Sequence, residues 1–149
     1  MSTDGNKAVV RRFFEEAWNH NNLSVADETY SADNVHHFGG APGLLGPDQA
    51  REQIRAWRTA IPDYRFHIED MVAEGDIVVT RLSFTGTHTS ASLKIAGRTA
   101  TPQSKTFEEA EMVVTRLKDG KVVESWATWD RLWAVALENS KGVRGHRWQ

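Results

Sequence analysis

The sequence contains no cysteine among its 149 residues, so disulfides and thiolate chemistry contribute neither to the fold nor to a reaction. No apolar run approaches the roughly 20 residues that cross a bilayer. Residues 1–6 are polar, whereas a signal peptide carries an apolar segment. We therefore expect a cytoplasmic protein that does not enter a membrane.

Motifs for nucleotide binding and for nucleophilic catalysis are also missing. The chain has no glycine-rich strand-to-helix fingerprint, no serine in a nucleophile elbow and no internal repeat. The formal net charge is −2, which gives no general attraction for nucleic acid. We expect no nucleotide cofactor and no nucleic-acid partner. The tail, residues 139–149, is locally basic, and we expect a solvated end or a segment in which Trp148 covers a neighbouring surface.

The order of the predicted elements indicates an α+β fold. We expect one domain over 1–149, with a core at about 7–138. Apolar residues at helical spacing predict helices over 7–19, after Ser24 and over 47–61. A period of two predicts strands at 34–38, 64–69, 77–88 and 106–117, with a loop or broken strand pair at 89–101. Helices followed by strands predict an antiparallel sheet with helices packed on one side.

Residues 39–47 are rich in glycine and proline, which break periodic structure. This segment nevertheless contains the apolar pair Leu44-Leu45. An apolar pair in such a loop predicts a flap over a cavity.

Asp119-Gly120 stands between two strand-like runs and predicts a two-residue type I′ turn. The second strand then runs toward Asp130. Strict alternation places Trp126 and Asp130 on the same face. A carboxylate beside apolar surface has a raised pKa, which suits acid/base catalysis near neutral pH. The alternative is that Asp130 caps a last helix at 131–138.

Other polar residues on apolar elements are weaker candidates. Only one of the neighbours His36 and His37 can face inward. His88 shares a strand face with Leu82 and Phe84, where it is either a structural residue or a group that orients or protonates an oxygen. The histidines have no metal-binding spacing, and we expect no metal site.

Three charged strand residues, Glu109, Glu111 and Arg116, are expected in solvent or in pairs on the sheet surface. Arg81 or Arg116 beside Asp130 would lower the pKa of that carboxyl and argue against a base. The sequence leaves this contact open.

Short segments in a fixed order resemble the SnoaL-like polyketide cyclases, or ester cyclases, of the NTF2-like group. These segments are Ala17-Trp18-Asn19, residues 33–37, 61–64, 75–81, 86–89 and 119–126, followed by Asp130. The resemblance implies an α+β cone, in which a curved antiparallel sheet wraps around a pocket closed by N-terminal helices. It also implies a homodimer.

The resemblance further implies a biosynthetic enzyme that closes a ring by a cofactor-independent intramolecular aldol reaction. Asp130 would be the acid/base, and His37 and His88 are the hypothetical donors to the enolate or alkoxide oxygen. The substrate would be small, apolar or aromatic, and polyketide-like. The pocket residues we expect are Phe14, Leu44, Trp57, Phe84 and Trp126.

Two features depart from the family pattern. Ser90 follows Thr89 where many relatives have glycine, and the final helix lacks the Gln-Leu-Gly ending. Three rival functions stay open on this fold: an epoxide hydrolase with an Asp-Arg-Asp relay, an isomerase, and a non-catalytic module that binds an apolar ligand.

Overall fold

The computed structural model describes residues 2–38, 43–95, 98–102 and 104–129. Its helices are α1 (Thr3–Arg12), a π-helical continuation (Phe13–Asn19), α2 (Ser24–Thr29) and α3 (Gly46–Ala60). Its strands are β1 (Tyr30–Phe38), β2 (Leu44–Leu45), β3 (Arg65–Glu74), β4 (Ile77–Thr87), β5 (Leu93–Ile95), β6 (Arg98–Ala100), β7 (Thr106–Lys118) and β8 (Lys121–Trp129). No helix in this described part is long and apolar enough to cross a membrane.

The first helix changes from α to π geometry where its apolar residues become dense. Phe13, Phe14, Ala17 and Trp18 are all buried in the π-helical continuation. This segment ends on β3, because the Asn19 amide donates to the Phe66 carbonyl and accepts from the Phe66 N–H, both at 2.8 Å. The end of the helix is thereby fixed against the sheet.

Helix α3 begins at a glycine that no other residue can easily replace. Gly46 has φ +69°, and a Cβ there would lie 2.6 Å from the Ala32 carbonyl oxygen. Pro47 follows in the first turn, where its fixed φ suits a helix. The buried side of α3 includes Ala50, Ile54 and Trp57, which places this helix over the sheet.

The main sheet has six strands in the order β2-β1-β8-β7-β4-β3. Strands β1 and β8 are parallel, while the other pairs are antiparallel. The α+β class is confirmed, but the expected antiparallel sheet is in fact mixed. The parallel pair joins segments nearly ninety residues apart, such as His36 and Ser125, and local alternation carries no information on such pairings.

The predicted hairpin between β7 and β8 is present. Asp119 and Gly120 have φ 52° and 75°, the positive values that a type I′ turn requires. The register then shifts between Arg116 and Leu117. This irregularity inverts the predicted faces of β8, so that Ser125 and Ala127 are buried while Trp126 lies on the outer face.

Candidate active site

A cavity lies between the inner face of the sheet and the helices. The space open to the centre of a water molecule is about 50 Å³, against roughly 10–15 Å³ for a single water. Its wall is largely aromatic and includes Phe13, Phe14, Trp18, Trp57, Phe66 and Phe84. Such a lining suits an apolar or aromatic ligand.

Four of the five predicted pocket residues line this cavity. Phe14, Leu44, Trp57 and Phe84 are in its wall. The Trp57 ring packs edge-on against Phe84 at 5.7 Å and against Trp129 at 5.5 Å between ring centroids. Trp129 was not predicted to line the pocket. Its side chain faces inward because of the register shift between β7 and β8.

The prediction for Trp126 is wrong, because this side chain belongs to the outer face of the sheet. Its ring stacks on His37 at 5.5 Å, and the Arg116 guanidinium lies 5.5 Å from the Trp126 centroid. Glu124 joins the same group through His37 Nε2 at 2.8 Å and Arg116 at 3.3 Å. His37 is therefore engaged outside and does not line the cavity.

His88 is buried, as the alternation of β4 predicted, but it does not line the cavity. Its Nε2 lies 2.8 Å from the Ala91 carbonyl, to which it donates. This contact supports the interpretation of His88 as a structural residue and does not place it against a substrate oxygen.

His36 is the member of the histidine pair that faces the cavity. Its Nδ1 lies 2.6 Å from the Ser125 hydroxyl, a residue only 2% exposed. Burial, with a smaller contribution from the charge of His37, lowers the pKa of His36 to about 4. The imidazole is therefore neutral at physiological pH.

Glu109 and Glu111 were expected on the surface, and that expectation is wrong. Both line the cavity, with exposed fractions of 6% and 7%. Their sequence positions could have predicted this burial, because alternation along β7 places them on the same face as the buried Val113 and Leu117. Their charge led to the wrong assignment.

Glu111 is a cavity acid whose pKa is strongly raised. Burial raises its pKa to about 8, and its cross-strand partner on β8 is Trp129. Burial also raises the pKa of Tyr30, and the charge of Glu111 adds to the rise. A group with a pKa near neutrality can both give and take a proton.

The predicted acid/base Asp130 lies outside the described residues, as does the predicted helix 131–138. Neither of the two arginines considered beside Asp130 lines the cavity. Arg81 pairs with Asp70 at 2.6 Å, and Arg116 pairs with Glu124. Across the described ranges, no group of three or more histidines and acids is arranged to hold a metal ion.

Comparison with known proteins agrees with this architecture. The sequence pattern of the SnoaL-like polyketide cyclases matches residues 8–136. A candidate SnoaL-like polyketide cyclase from Jannaschia sp. CCS1 has a TM-score of 0.79 at 24% identity, covering 95% of each chain. No protein of curated function matches the sequence.

Two further solved structures come from Streptomyces. IdmH of Streptomyces antibioticus, a candidate polyketide cyclase, has a TM-score of 0.70 at 25% identity, covering 89% of this chain and 96% of IdmH. AclR of Streptomyces galilaeus, a candidate hydroxylase, has a TM-score of 0.72 at 26% identity, covering 96% of this chain and 87% of AclR.

A curved mixed sheet that encloses an aromatic cavity under N-terminal helices defines an NTF2-like protein. Within that class, the chain belongs to the SnoaL-like polyketide cyclase family.

Proposed function

We propose that the protein closes a ring in a small polyketide-like substrate by a cofactor-independent, intramolecular aldol reaction with carboxyl acid/base catalysis. The observation that carries this proposal is Glu111. It is a carboxyl with a pKa of about 8 in the wall of an aromatic cavity. Proton transfer is most efficient when the pKa of the catalytic group lies near the working pH.

The reaction needs one base and one acid. The base removes a proton from a carbon between two carbonyls, and the enolate carbon then bonds to a second carbonyl carbon of the same molecule. The acid protonates the resulting alkoxide, so no electrons are gained or lost overall. Holding the substrate folded in the cavity supplies much of the acceleration, because the reacting atoms are kept close.

We assign the base to Asp130 and the acid to Glu111. Asp130 is the family-based prediction for the base and lies outside the described residues. Glu111 is protonated below pH about 8, so it is in the state that donates a proton. Two carboxyls with separated pKa values are the usual arrangement for paired acid and base roles.

The proposal is tested by incubating native protein, Asp130→Asn and Glu111→Gln with poly-β-keto esters and 1,3-diketones, following product formation and binding. Glu108→Gln is the matched control, because Glu108 lies on the exposed side of the same strand. We expect both site variants to bind ligand while turnover falls at least a hundredfold, the low end of general acid/base effects. Unchanged turnover in both site variants would refute the proposal.

The rival functions make different demands on the cavity. An epoxide hydrolase relay requires an Arg between two Asp residues, and no described cavity residue is an Arg or an Asp. An isomerase would move a proton without forming a carbon–carbon bond, which product analysis distinguishes. A binding module would retain full affinity in both site variants and turn over none of the compounds.

We also infer a homodimer with a biosynthetic role, as the family resemblance implies. Light scattering coupled to size-exclusion chromatography measures the mass directly. A mass of one chain at micromolar concentration would contradict the dimer.

A further inference from the structure

We propose that His36 is a further catalytic residue, which holds a substrate oxygen through its Nε2–H, and that Ser125 and Tyr30 are positioning residues that fix its tautomer. The catalytic part of this inference rests on the proposed function. The tautomer part does not, because it concerns the protein without substrate.

The contact between His36 and Ser125 is short and buried. His36 Nδ1 lies 2.6 Å from Ser125 Oγ, and these residues are direct neighbours on the parallel strands β1 and β8. With Nδ1 occupied by the hydroxyl, Nε2 is the ring nitrogen left for the cavity that His36 lines. The chemistry of the site therefore depends on which nitrogen carries the proton.

We infer the direction of the hydrogen bonds from Tyr30. Its side chain is buried, and hydrogen bonding to Ser125 offsets part of the rise that burial gives the pKa of its hydroxyl. A buried tyrosine hydroxyl needs an acceptor for its proton. If Tyr30 donates to Ser125, the Ser125 hydroxyl is free to donate to His36 Nδ1, and a neutral imidazole then carries its proton on Nε2.

The tyrosine is itself held in place by aromatic packing. Its ring stacks on Phe13 with 4.3 Å between centroids. Phe13 lies in the π-helical continuation that closes the cavity. The chain of contacts therefore runs from the helix through Tyr30 and Ser125 to His36.

His36 and Glu111 occupy different parts of the sheet. His36 is level with Ser125 and Thr115, and Glu111 lies four residues along β7 from Thr115. Two strands at about 4.8 Å each and four residues at about 3.3 Å each separate their backbones. The two side chains therefore enter the cavity from different positions on the sheet, and we assign them to two oxygens of an elongated substrate.

The tautomer is measured directly by ¹⁵N NMR of the histidine rings in the full-length protein without ligand. We expect His36 to be the neutral Nε2–H form at pH 7. Ser125→Ala and Tyr30→Phe should each produce a mixture of the two neutral tautomers. An Nδ1–H form in the native protein, or an unchanged Nε2–H form in either variant, would overturn the inference.

The oxygen-holding role is measured with 2-acetylnaphthalene and with 2-ethylnaphthalene, which has a similar shape and lacks the oxygen. We expect His36→Phe to lower the preference for the ketone by roughly three- to tenfold, the size of one neutral hydrogen bond. His36→Gln, which retains an N–H donor, should restore part of this preference. His37→Gln is the outer-face control and should change nothing.

An equal loss of affinity for ketone and hydrocarbon in His36→Phe would overturn the inference, since it would mean that His36 only packs. These binding measurements need no turnover. Failure of the aldol proposal and failure of the His36 proposal are therefore distinguishable.

Discussion

Replacing Glu111 by glutamine should make the protein more stable at neutral and alkaline pH. The buried carboxyl has a pKa of about 8 in the folded protein, against a usual value of 4.5. Since each pKa unit is worth about 1.36 kcal/mol, ionising Glu111 in the folded state costs on the order of 5 kcal/mol. Glutamine has nearly the same shape and never carries this charge.

The sign of the pH dependence follows from proton binding. Between pH 4.5 and about 8, folded Glu111 keeps a proton that the unfolded chain has lost. The free energy of unfolding therefore falls as pH rises through this window. Below pH 4.5, Glu111 does not lower the free energy of unfolding. At pH 7 it lowers the free energy of unfolding by about 3 kcal/mol.

The assay is urea unfolding of native protein and Glu111→Gln at pH 5, 7 and 8.5. The free energy of unfolding of Glu111→Gln should exceed that of the native protein by an amount that grows with pH. The contributions of the other titrating groups are the same in both proteins and cancel in the difference. Glu108→Gln, on the exposed face of the same strand, should show no such trend. A difference that stays constant with pH, or that favours the native protein at pH 8.5, would refute the reasoning.

Other predictions concern the remaining parts of the cavity. Between pH 6.5 and 4, the free energy of unfolding of the native protein should fall by about 3 kcal/mol relative to that of His36→Gln, because the unfolded chain binds a proton that folded His36, with a pKa of about 4, does not bind. Urea unfolding across this pH range measures the loss. The same pH dependence in both proteins would contradict it. Gly46→Ala should cost about 2 kcal/mol or more, since alanine is strained at φ +69° and its Cβ meets a carbonyl oxygen; an unchanged melting midpoint would argue against this geometry. Trp57→Phe should weaken the binding of 2-acetylnaphthalene, measured by fluorescence titration, whereas Trp126→Phe should not, because Trp57 lines the cavity and Trp126 does not. Equal losses of affinity in both variants would contradict the assigned faces.

The helices and most strands were predictable because their signals are local. The spacing of apolar residues in 7–19 and the alternation after Tyr64 reflect which face of each element is buried. The Asp119-Gly120 turn was predictable because few residues tolerate positive φ in succession. These patterns require no knowledge of the partner strand.

The inward face of β8 was not predictable in the same way. A single register shift after Arg116 exchanges the roles of Trp126 and Trp129. Strict alternation assigns the wrong face to every residue beyond such a shift. The sequence also left open which of His36 and His37 faces inward, and the pairing of β1 with β8 and β2 turns His36 inward.

The buried acids were missed for an energetic reason. Charged residues are rarely buried, and Glu111 was therefore expected in solvent or in a surface pair. The buried carboxyl avoids the free-energy cost of a buried charge because it stays protonated. Residues that break the general rule in this way are often the ones that carry chemistry.

The central claim, that carboxyl groups of this protein move a proton on a bound carbonyl compound, is tested most directly by α-proton exchange. Exchange of 2-tetralone in deuterated buffer is followed by NMR with native protein and with Asp130→Asn. Asparagine caps a helix as well as aspartate does, so the variant removes the ionisable group and retains the alternative capping role. We predict exchange well above the buffer rate with native protein and at the buffer rate with Asp130→Asn. Saturable binding of 2-tetralone without accelerated exchange, or equal acceleration by both proteins, would contradict the account.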